Sequence, residues 1–140
     1  MYKIFTVFSL LFFIFILWII YLADTGQNSR FFELIHGVPF GDKIGHFILY
    51  GVLTFGVVVA TRFRVRKIAS FTIFSGALYV TVFAVVEEVS QQFFAIRTLD
   101  GVDLFADGLG ICLFSGLSYL LKQRMSFQNG KINTGAENSN

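Results

Sequence analysis

Four long apolar segments, separated by short polar ones, dominate the hydropathy pattern of the chain. They run over about residues 4–23, 44–61, 68–93 and 102–121. A membrane-crossing helix needs roughly 20 mostly apolar residues, and each segment is close to this length or above it. The pattern therefore predicts four transmembrane helices within residues 1–124, here called spans one to four. Residues 125–140 are polar and rich in Asn, Gly and Ser, which predicts a flexible cytoplasmic tail.

Composition indicates that lipid surrounds much of the chain. Of the 140 residues, 55% are hydrophobic and only 14% are charged, whereas a soluble domain carries about 25% charged residues. A soluble domain of this length could not bury so much apolar surface. With one cysteine, Cys112, an internal disulfide is impossible, and a net charge of +2 is too small to predict a nucleic-acid partner. The predicted fold is an all-α integral membrane protein, a bundle of four transmembrane helices.

The charged residues divide by sign between the two sides that four spans define. One side carries eight of the eleven lysines and arginines, half of them within residues 62–67, and a single acid, Glu137. The other side carries the remaining three basic residues and eight acids. The positive-inside rule places the basic loop and both termini in the cytoplasm. The loops between spans one and two and between spans three and four then face the outside.

Polar residues gather at the predicted outer ends of spans two, three and four. An ionised side chain at the centre of a bilayer costs at least about 2.5–3.5 kcal/mol, so spans carry such groups where they face a bundle interior or a wet cavity. In span two, Asp42, His46 and Tyr50 recur every four residues and share one helix face. The three spans together predict one shared polar site, with these members: Asp42, Lys43, His46, Tyr50, Glu87, Glu88, Gln91, Arg97, Asp100, Asp103 and Asp107.

Simpler interpretations exist for single members of this set. Asp42 and Asp100 are also suited to capping helix N-termini. His46 alone could be a buried imidazole with satisfied hydrogen bonds, and Tyr50 an interfacial anchor. Glu88 could face water. These interpretations explain the residues singly, whereas they do not explain why three spans carry ionisable groups at the same end.

The charges of the predicted site do not balance. Six carboxyl groups face Lys43, Arg97 and His46, and two like charges about 5 Å apart repel by roughly 3 kcal/mol at an effective dielectric of 20. Raised carboxyl pKa values, a bound divalent cation or a cationic or polyhydroxyl headgroup would each relieve the repulsion. The cofactor is therefore left open, with a divalent cation such as Mg, Ca, Mn or Zn as the candidate.

Roles follow from side-chain chemistry. Catalytic roles fall to His46, Glu87 and Asp103: His46 and Glu87 suit acid–base or metal chemistry, and Asp103, like Asp107, would orient or coordinate. Lys43 and Arg97 would hold an anionic headgroup. The predicted substrate-binding residues are Asp42, Lys43, Tyr50, Glu88, Gln91, Arg97, Asp100 and Asp107.

The residues of the predicted site fall into three motifs, one each at the outer ends of spans two, three and four. These motifs, in their order along the chain, resemble those of the VanZ-like family of small bacterial membrane proteins. The chain departs from the family at Asp107, where the family usually has asparagine. The resemblance implies a role in the bacterial cell envelope and a location in the cytoplasmic (inner) membrane, with the site on the extracytoplasmic side. The name-giving member is associated with resistance to the glycopeptide teicoplanin. The motifs read Asp42-Lys43-x-x-His46-Phe47-x-x-Tyr50-x-x-Leu53, Glu87-Glu88-x-x-Gln91-x-Phe93 and Arg97-x-x-Asp100-x-x-Asp103-x-x-Ala106-Asp107-x-x-Gly110.

The leading hypothesis is a membrane protein whose outer-face site binds, or binds and modifies, a membrane lipid or a lipid-linked or cell-wall component. Two alternatives use the same residues: a proton or cation relay, and a non-catalytic accessory or scaffold protein in which the cluster only locks three helices together. Whether the protein is an enzyme, and its oligomeric state, stay open at this point.

Overall fold

A computed structural model describes residues 2–25, 39–94 and 100–137, with side chains described as far as residue 127. The described part is mostly helical and contains one small antiparallel sheet. Its elements are helix α1 (Tyr2–Asp24), helix α2 (Gly41–Ala60), strands β1 (Val65–Ile68) and β2 (Phe71–Phe74), helix α3 (Ser75–Ser90), a single 3₁₀ turn (Gln91–Phe93) and helix α4 (Gly101–Glu137).

Three of these helices are long and apolar enough to cross a membrane: α1, α2 and the Gly101–Phe127 part of α4. This finding is compatible with a multi-pass membrane protein. Many of their large apolar side chains are exposed, among them Leu11, Trp18 and Leu113. A water-soluble monomer rarely exposes so much contiguous apolar surface, whereas a helix surrounded by lipid does so by default.

The predicted third span begins later than expected. Residues 68–74, predicted as helix, belong mostly to a β-hairpin in which Val65 pairs with Phe74 and Ile68 with Phe71. The prediction was wrong here because a run of β-branched and aromatic residues is apolar enough to resemble a span but favours strands over helix. Helix α3 therefore has 16 residues, about 24 Å at 1.5 Å per residue, which is shorter than a typical hydrocarbon core of about 30 Å.

The chain turns sharply where α2 ends. The N–H groups of Arg62 and Phe63 donate to the carbonyls of Val59 and Val58, both at 2.9 Å, and Arg62 has a φ of 57°. This is the Schellman arrangement, which satisfies the last carbonyls of a helix. Phe63 is buried and meets the ring of Phe74 edge-on. The turn thereby fixes the hairpin against the end of α2.

Helix α2 is the centre of the bundle, because α1, α3 and α4 all pack on it. Its approach to α4 is very close: a Cβ on Gly110 would overlap the carbonyl oxygen of Phe47, and one on Gly51 would lie 2.5 Å from the Phe114 ring. Glycine permits such backbone approach, as is common between membrane helices. The contact sets the starts of α2 and α4 side by side, which positions the polar residues described below.

Helix α1 packs antiparallel to α2, so that Asp24 lies at the same end of the bundle as the start of α2. Phe5 meets Phe55 edge-on, and a Cβ on Gly56 would lie 2.6 Å from the Ser9 Oγ. The middle of the bundle is an apolar core of buried residues, which includes Ile16, Leu53, Val58, Val80, Ala84 and Ile111.

Helix α4 continues well past its predicted end at residue 121. Its backbone is helical to Glu137, so most of the segment predicted as a flexible tail has a helical backbone. The residues that follow 121 include Lys122, Gln123, Arg124 and Met125, which are good helix formers.

Candidate functional site

The first two turns of α2 present a polar face. Asp42, His46 and Tyr50 lie on it at four-residue intervals, and the His46 and Tyr50 rings are stacked with centroids 6.1 Å apart. Asp42 occupies the first turn, where a carboxylate is favourable beside the free N–H groups of the helix. The predicted i, i+4 arrangement therefore places these side chains towards α3 and α4.

Lys43 joins the starts of α2 and α4. Its Nζ lies 2.7 Å from Asp100 Oδ2, 2.5 Å from Asp103 Oδ1 and 3.3 Å from Asp42 Oδ2. The Lys43 side chain is 26% exposed, so this ion-paired group lies at the rim of the bundle. A single ammonium thus partly neutralises three carboxylates.

Asp100 acts both as a helix cap and as a member of this group. Its Oδ1 accepts a hydrogen bond from the Val102 N–H at 2.9 Å, as expected for an N-cap residue of α4. Its Oδ2 accepts from Lys43, and its own backbone N–H donates to Glu88 Oε1 at 2.6 Å. The hydrogen bond from Lys43, helped by that from Val102, lowers the pKa of Asp100 below its ordinary value.

His46 lies between two aspartates of α4. Its Nδ1 is 3.1 Å from Asp107 Oδ1, and its Nε2 is 4.0 Å from Asp103 Oδ2. Asp107 has no exposed surface, and its second oxygen, Oδ2, has no hydrogen-bond partner among the described residues. When Nδ1 carries the proton, it donates a hydrogen bond to Asp107 Oδ1, and the Nε2 lone pair is then on the side of Asp103.

A second layer of polar groups is buried deeper, where α3 ends. The Tyr50 hydroxyl donates to Glu87 Oε2 at 3.3 Å, while the Gln91 amide donates to Glu87 Oε1 at 3.0 Å and to Glu88 Oε2 at 2.9 Å. Glu87, Glu88 and Gln91 are all buried. The 3₁₀ turn after α3 holds Gln91 beside these carboxyls. One amide therefore bridges two neighbouring glutamates.

The structure brings together ten of the eleven predicted site residues, here called the polar cluster. The remaining one, Arg97, lies outside the described residues. Glu88 does not face water, because it is only 1% exposed; that interpretation of Glu88 was wrong. Asp42, by contrast, has a 52% exposed side chain. The members of the polar cluster are Asp42, Lys43, His46, Tyr50, Glu87, Glu88, Gln91, Asp100, Asp103 and Asp107.

Three members of the polar cluster are placed as metal ligands would be. One ligand atom each from Asp42, His46 and Asp103 lies within 4.8 Å of the other two. Imidazole nitrogen and carboxylate oxygen are common ligands of divalent cations. Acid–base chemistry is also open to this group, because His46 is half-buried and oriented by Asp107.

Sequence reasoning missed two features. One is the hydrogen bond from the Asp100 backbone to Glu88, which joins α4 to α3 and involves a group that side-chain patterns cannot reveal. The other is an apolar cavity of about 350 Å³ between α1, α2 and α3, lined by Ser9, Phe13 and Phe83 among others. The only signal for it in the sequence is the small Ser9 within an otherwise bulky span.

Comparison of the chain with protein-family models, with curated proteins and with solved structures found no match. The resemblance to the VanZ-like family therefore stays a prediction that depends on the three motifs.

Proposed function

We propose that this chain is a bacterial cell-envelope membrane protein whose polar cluster binds, or binds and modifies, a lipid-linked or cell-wall component. The observation that carries the proposal is the burial of four carboxyl groups, those of Glu87, Glu88, Asp103 and Asp107, beneath a rim of partly exposed charged side chains. Burying ionisable groups in a membrane protein is costly, and such groups are usually retained for function.

The proposed orientation places the polar cluster on the extracytoplasmic side of the cytoplasmic membrane. Exposed basic residues lie at the opposite end of the bundle: Arg62 after α2, and Arg66 and Lys67 on strand β1. The positive-inside rule favours a cytoplasmic location for that end. In this topology α3 and the following 3₁₀ turn form a short fourth crossing, which the surrounding bilayer accommodates by local thinning.

The charge of the polar cluster favours a ligand that brings hydroxyl or amine groups. Among the described residues its six carboxyls face one ammonium, that of Lys43, and that ammonium is already paired with Asp42, Asp100 and Asp103. An anionic headgroup would have to displace these partners. We therefore propose that Lys43 chiefly holds the rim together, and that sugar hydroxyls or a cationic group of the ligand meet the carboxylates.

A proton or cation relay is less well supported. Below Tyr50 the described helices bury apolar residues such as Leu53, Val80 and Ile111. The buried hydroxyl of Thr54 donates to the carbonyl of Tyr50 in its own helix, and Ser118 likewise donates to Phe114. The described residues thus offer no polar path from the cluster to the basic end.

Identification of lipids that remain bound to the purified protein tests the proposed function. The full chain, extracted from bacterial membranes in a mild detergent, would be compared with a rim variant, Asp42→Asn with Asp100→Asn. We expect mass spectrometry to find a glycosylated or amine-bearing lipid on the wild type and at least tenfold less on the rim variant.

Asp24→Asn is the matched control, because it removes a carboxyl at the same end of the bundle but outside the polar cluster. It should retain the lipid at the wild-type level. The same lipids in the same amounts on the wild type and the rim variant, both folded, would refute the proposal.

A further inference from the structure

We infer that Asp42, His46 and Asp103 form a binding site for a divalent transition-metal ion, with Asp107 as a positioning residue behind His46. The site lies at the rim of the polar cluster, where α2 and α4 begin. The inference deepens the proposed function by naming a cofactor class for the same cluster. The metal site requires no particular envelope ligand, so the inference and the proposed function can fail separately.

The three side chains are close to a coordinating geometry. Their ligand atoms lie within 4.8 Å of one another, whereas ligands about 2.0 Å from a tetrahedral metal lie about 3.3 Å apart. Rotation of the side chains can shorten the distances between the ligand atoms to the value that a bound metal requires. Asp42 has the most exposed side chain of the three, so its carboxylate can rotate towards an ion held by the other two.

Asp103 can serve two cations at once. Its Oδ1 is 2.5 Å from Lys43, while its Oδ2 is 4.0 Å from His46 Nε2. The first oxygen is thus used by the ion pair, and the second faces the imidazole nitrogen that would bind the metal. A metal ion between Asp103 Oδ2 and His46 Nε2 therefore does not require Lys43 to leave.

Asp107 supplies an independent observation that points to a cation. It has no exposed surface, its Oδ1 lies 3.1 Å from His46 Nδ1, and its Oδ2 has no hydrogen-bond partner among the described residues. Metal-binding histidines almost always donate their other ring N–H to a carboxylate or carbonyl, which fixes the tautomer and strengthens the ligand. A cation on Nε2 would in turn stabilise the buried Asp107 carboxylate through the imidazole.

The ligand set selects the class of ion. Mg²⁺ and Ca²⁺ prefer all-oxygen sites, while a site of one imidazole and two carboxylates suits Zn²⁺ or Mn²⁺, with Zn²⁺ bound more tightly. Three protein ligands leave at least one coordination position open. Because Asp42 is exposed, the site can be reached from the rim, and a water molecule or a hydroxyl of the ligand could occupy that position.

Titration of the metal-free full chain in detergent with Zn²⁺, against a zinc-sensitive dye, tests the inference. We expect one Zn²⁺ per wild-type chain. Asp42→Asn, His46→Ala and Asp103→Asn should each weaken binding at least tenfold. Asp107→Ala should weaken it about 10- to 100-fold, the usual effect of losing the group that orients a ligand. Lys43→Met removes a positive charge close to the metal position without removing a ligand, so it should bind Zn²⁺ as tightly as the wild type or more tightly.

Two variants control for binding elsewhere on the chain. His36→Ala changes the only other histidine, and Asp24→Asn removes an acid at the same end of the bundle; both should bind Zn²⁺ like the wild type. Zinc affinity that is the same in the wild type, Asp42→Asn and His46→Ala would overturn the inference and indicate adventitious binding only. If Asp103→Asn fails to fold, the exposed Asp42→Asn still decides the question.

The titration contains no lipid, so its result is separate from the lipid experiment above. Zinc binding that is lost in the named variants, together with an unchanged lipid profile, would support the metal site and refute the proposed ligand. Zinc binding that is unchanged in the named variants, together with loss of the lipid from the rim variant, would refute the metal site and support the proposed function.

Discussion

The two ends of the bundle differ in the burial and pairing of their charged side chains. At the acidic end, where α2 and α4 begin, carboxyl groups are buried and joined to neighbouring helices; Glu88 contacts both Gln91 and the Asp100 backbone. At the basic end, around the hairpin, Arg64 and Arg66 are exposed. Within the described part of the chain, every ion pair lies at the acidic end.

At the basic end, two cationic side chains contact aromatic rings instead of carboxylates. The Arg62 guanidinium lies 5.6 Å from the centre of the Tyr2 ring, and the Lys122 ammonium 5.9 Å from that of Phe74. Such contacts at an exposed site are worth about 0.5–1 kcal/mol. In the proposed topology the basic end orients the chain in the membrane, whereas the carboxyl groups of the acidic end are held among buried hydrogen-bond partners.

The largest effect should follow loss of Glu88. Glu88→Ala removes the acceptor of two hydrogen bonds, from the Gln91 amide and the Asp100 N–H. Because each buried donor left without a partner costs about 1–3 kcal/mol, we expect the free energy of unfolding to fall by about 3 kcal/mol. Unfolding in detergent, followed by circular dichroism, measures it. A loss below about 0.5 kcal/mol would show that these hydrogen bonds do not join α3 to α4.

A similar but smaller effect is expected at the contact of α2 with α4. In Gly110→Ala the new Cβ would overlap the Phe47 carbonyl, and overpacking of this kind costs about 1–3 kcal/mol. Gly116→Ala is the matched control, since nothing lies within 4 Å of its Cβ position. We expect Gly110→Ala to lower both stability and Zn²⁺ affinity while Gly116→Ala changes neither. Equal behaviour of the two variants would contradict the close approach.

The ion pairs at the rim should make the stability of the protein depend on pH. The pKa of Asp100 is lowered by its hydrogen bond from Lys43, so its contribution to stability is present above the ordinary carboxyl pKa and is lost as the pH falls through the lower, folded value. Lys43→Met removes that hydrogen bond and should move the acid-unfolding midpoint to higher pH. An unchanged midpoint would show that the pairing does not stabilise the folded state.

The smallest effect on stability is expected at the basic end. Arg64→Gln with Arg66→Gln removes two exposed charges and should change the free energy of unfolding by no more than about 0.5 kcal/mol. Its effect should instead be on the orientation of the chain in the membrane, because fewer basic residues then favour the proposed cytoplasmic location of this end. Cys112 is first replaced by serine, and labelling of single cysteines then introduced at either end, in intact cells, measures the fraction inserted each way. A large loss of stability would contradict the distinction between the two ends.

Sequence patterns predicted those features that depend on local spacing. A long, mainly apolar run is sufficient to predict α1 and α2, and the four-residue recurrence of Asp42, His46 and Tyr50 is sufficient to predict their shared face. The hairpin escaped prediction because hydrophobicity alone does not separate the strand Phe71–Phe74 from the start of a span.

Features that depend on contacts between helices could not be predicted in this way. The pairing of His46 Nδ1 with Asp107 rather than with Asp103 depends on how deeply α4 sits against α2. That depth is set by the approach of Gly110 to the Phe47 carbonyl, two residues that a pattern along one helix does not relate to each other. Sequence patterns therefore predicted which side chains lie close together more fully than which of them pair.

A double-mutant cycle on His46 and Asp107 tests most directly the claim that α2 and α4 bring their ionisable groups into one buried site. Unfolding free energies would be measured for His46→Ala, Asp107→Ala, the double variant and the wild type. Residues in direct contact couple by about 0.5–3 kcal/mol, and we predict a favourable coupling of about 1 kcal/mol or more. Additive effects of the two changes, with no coupling, would contradict the account.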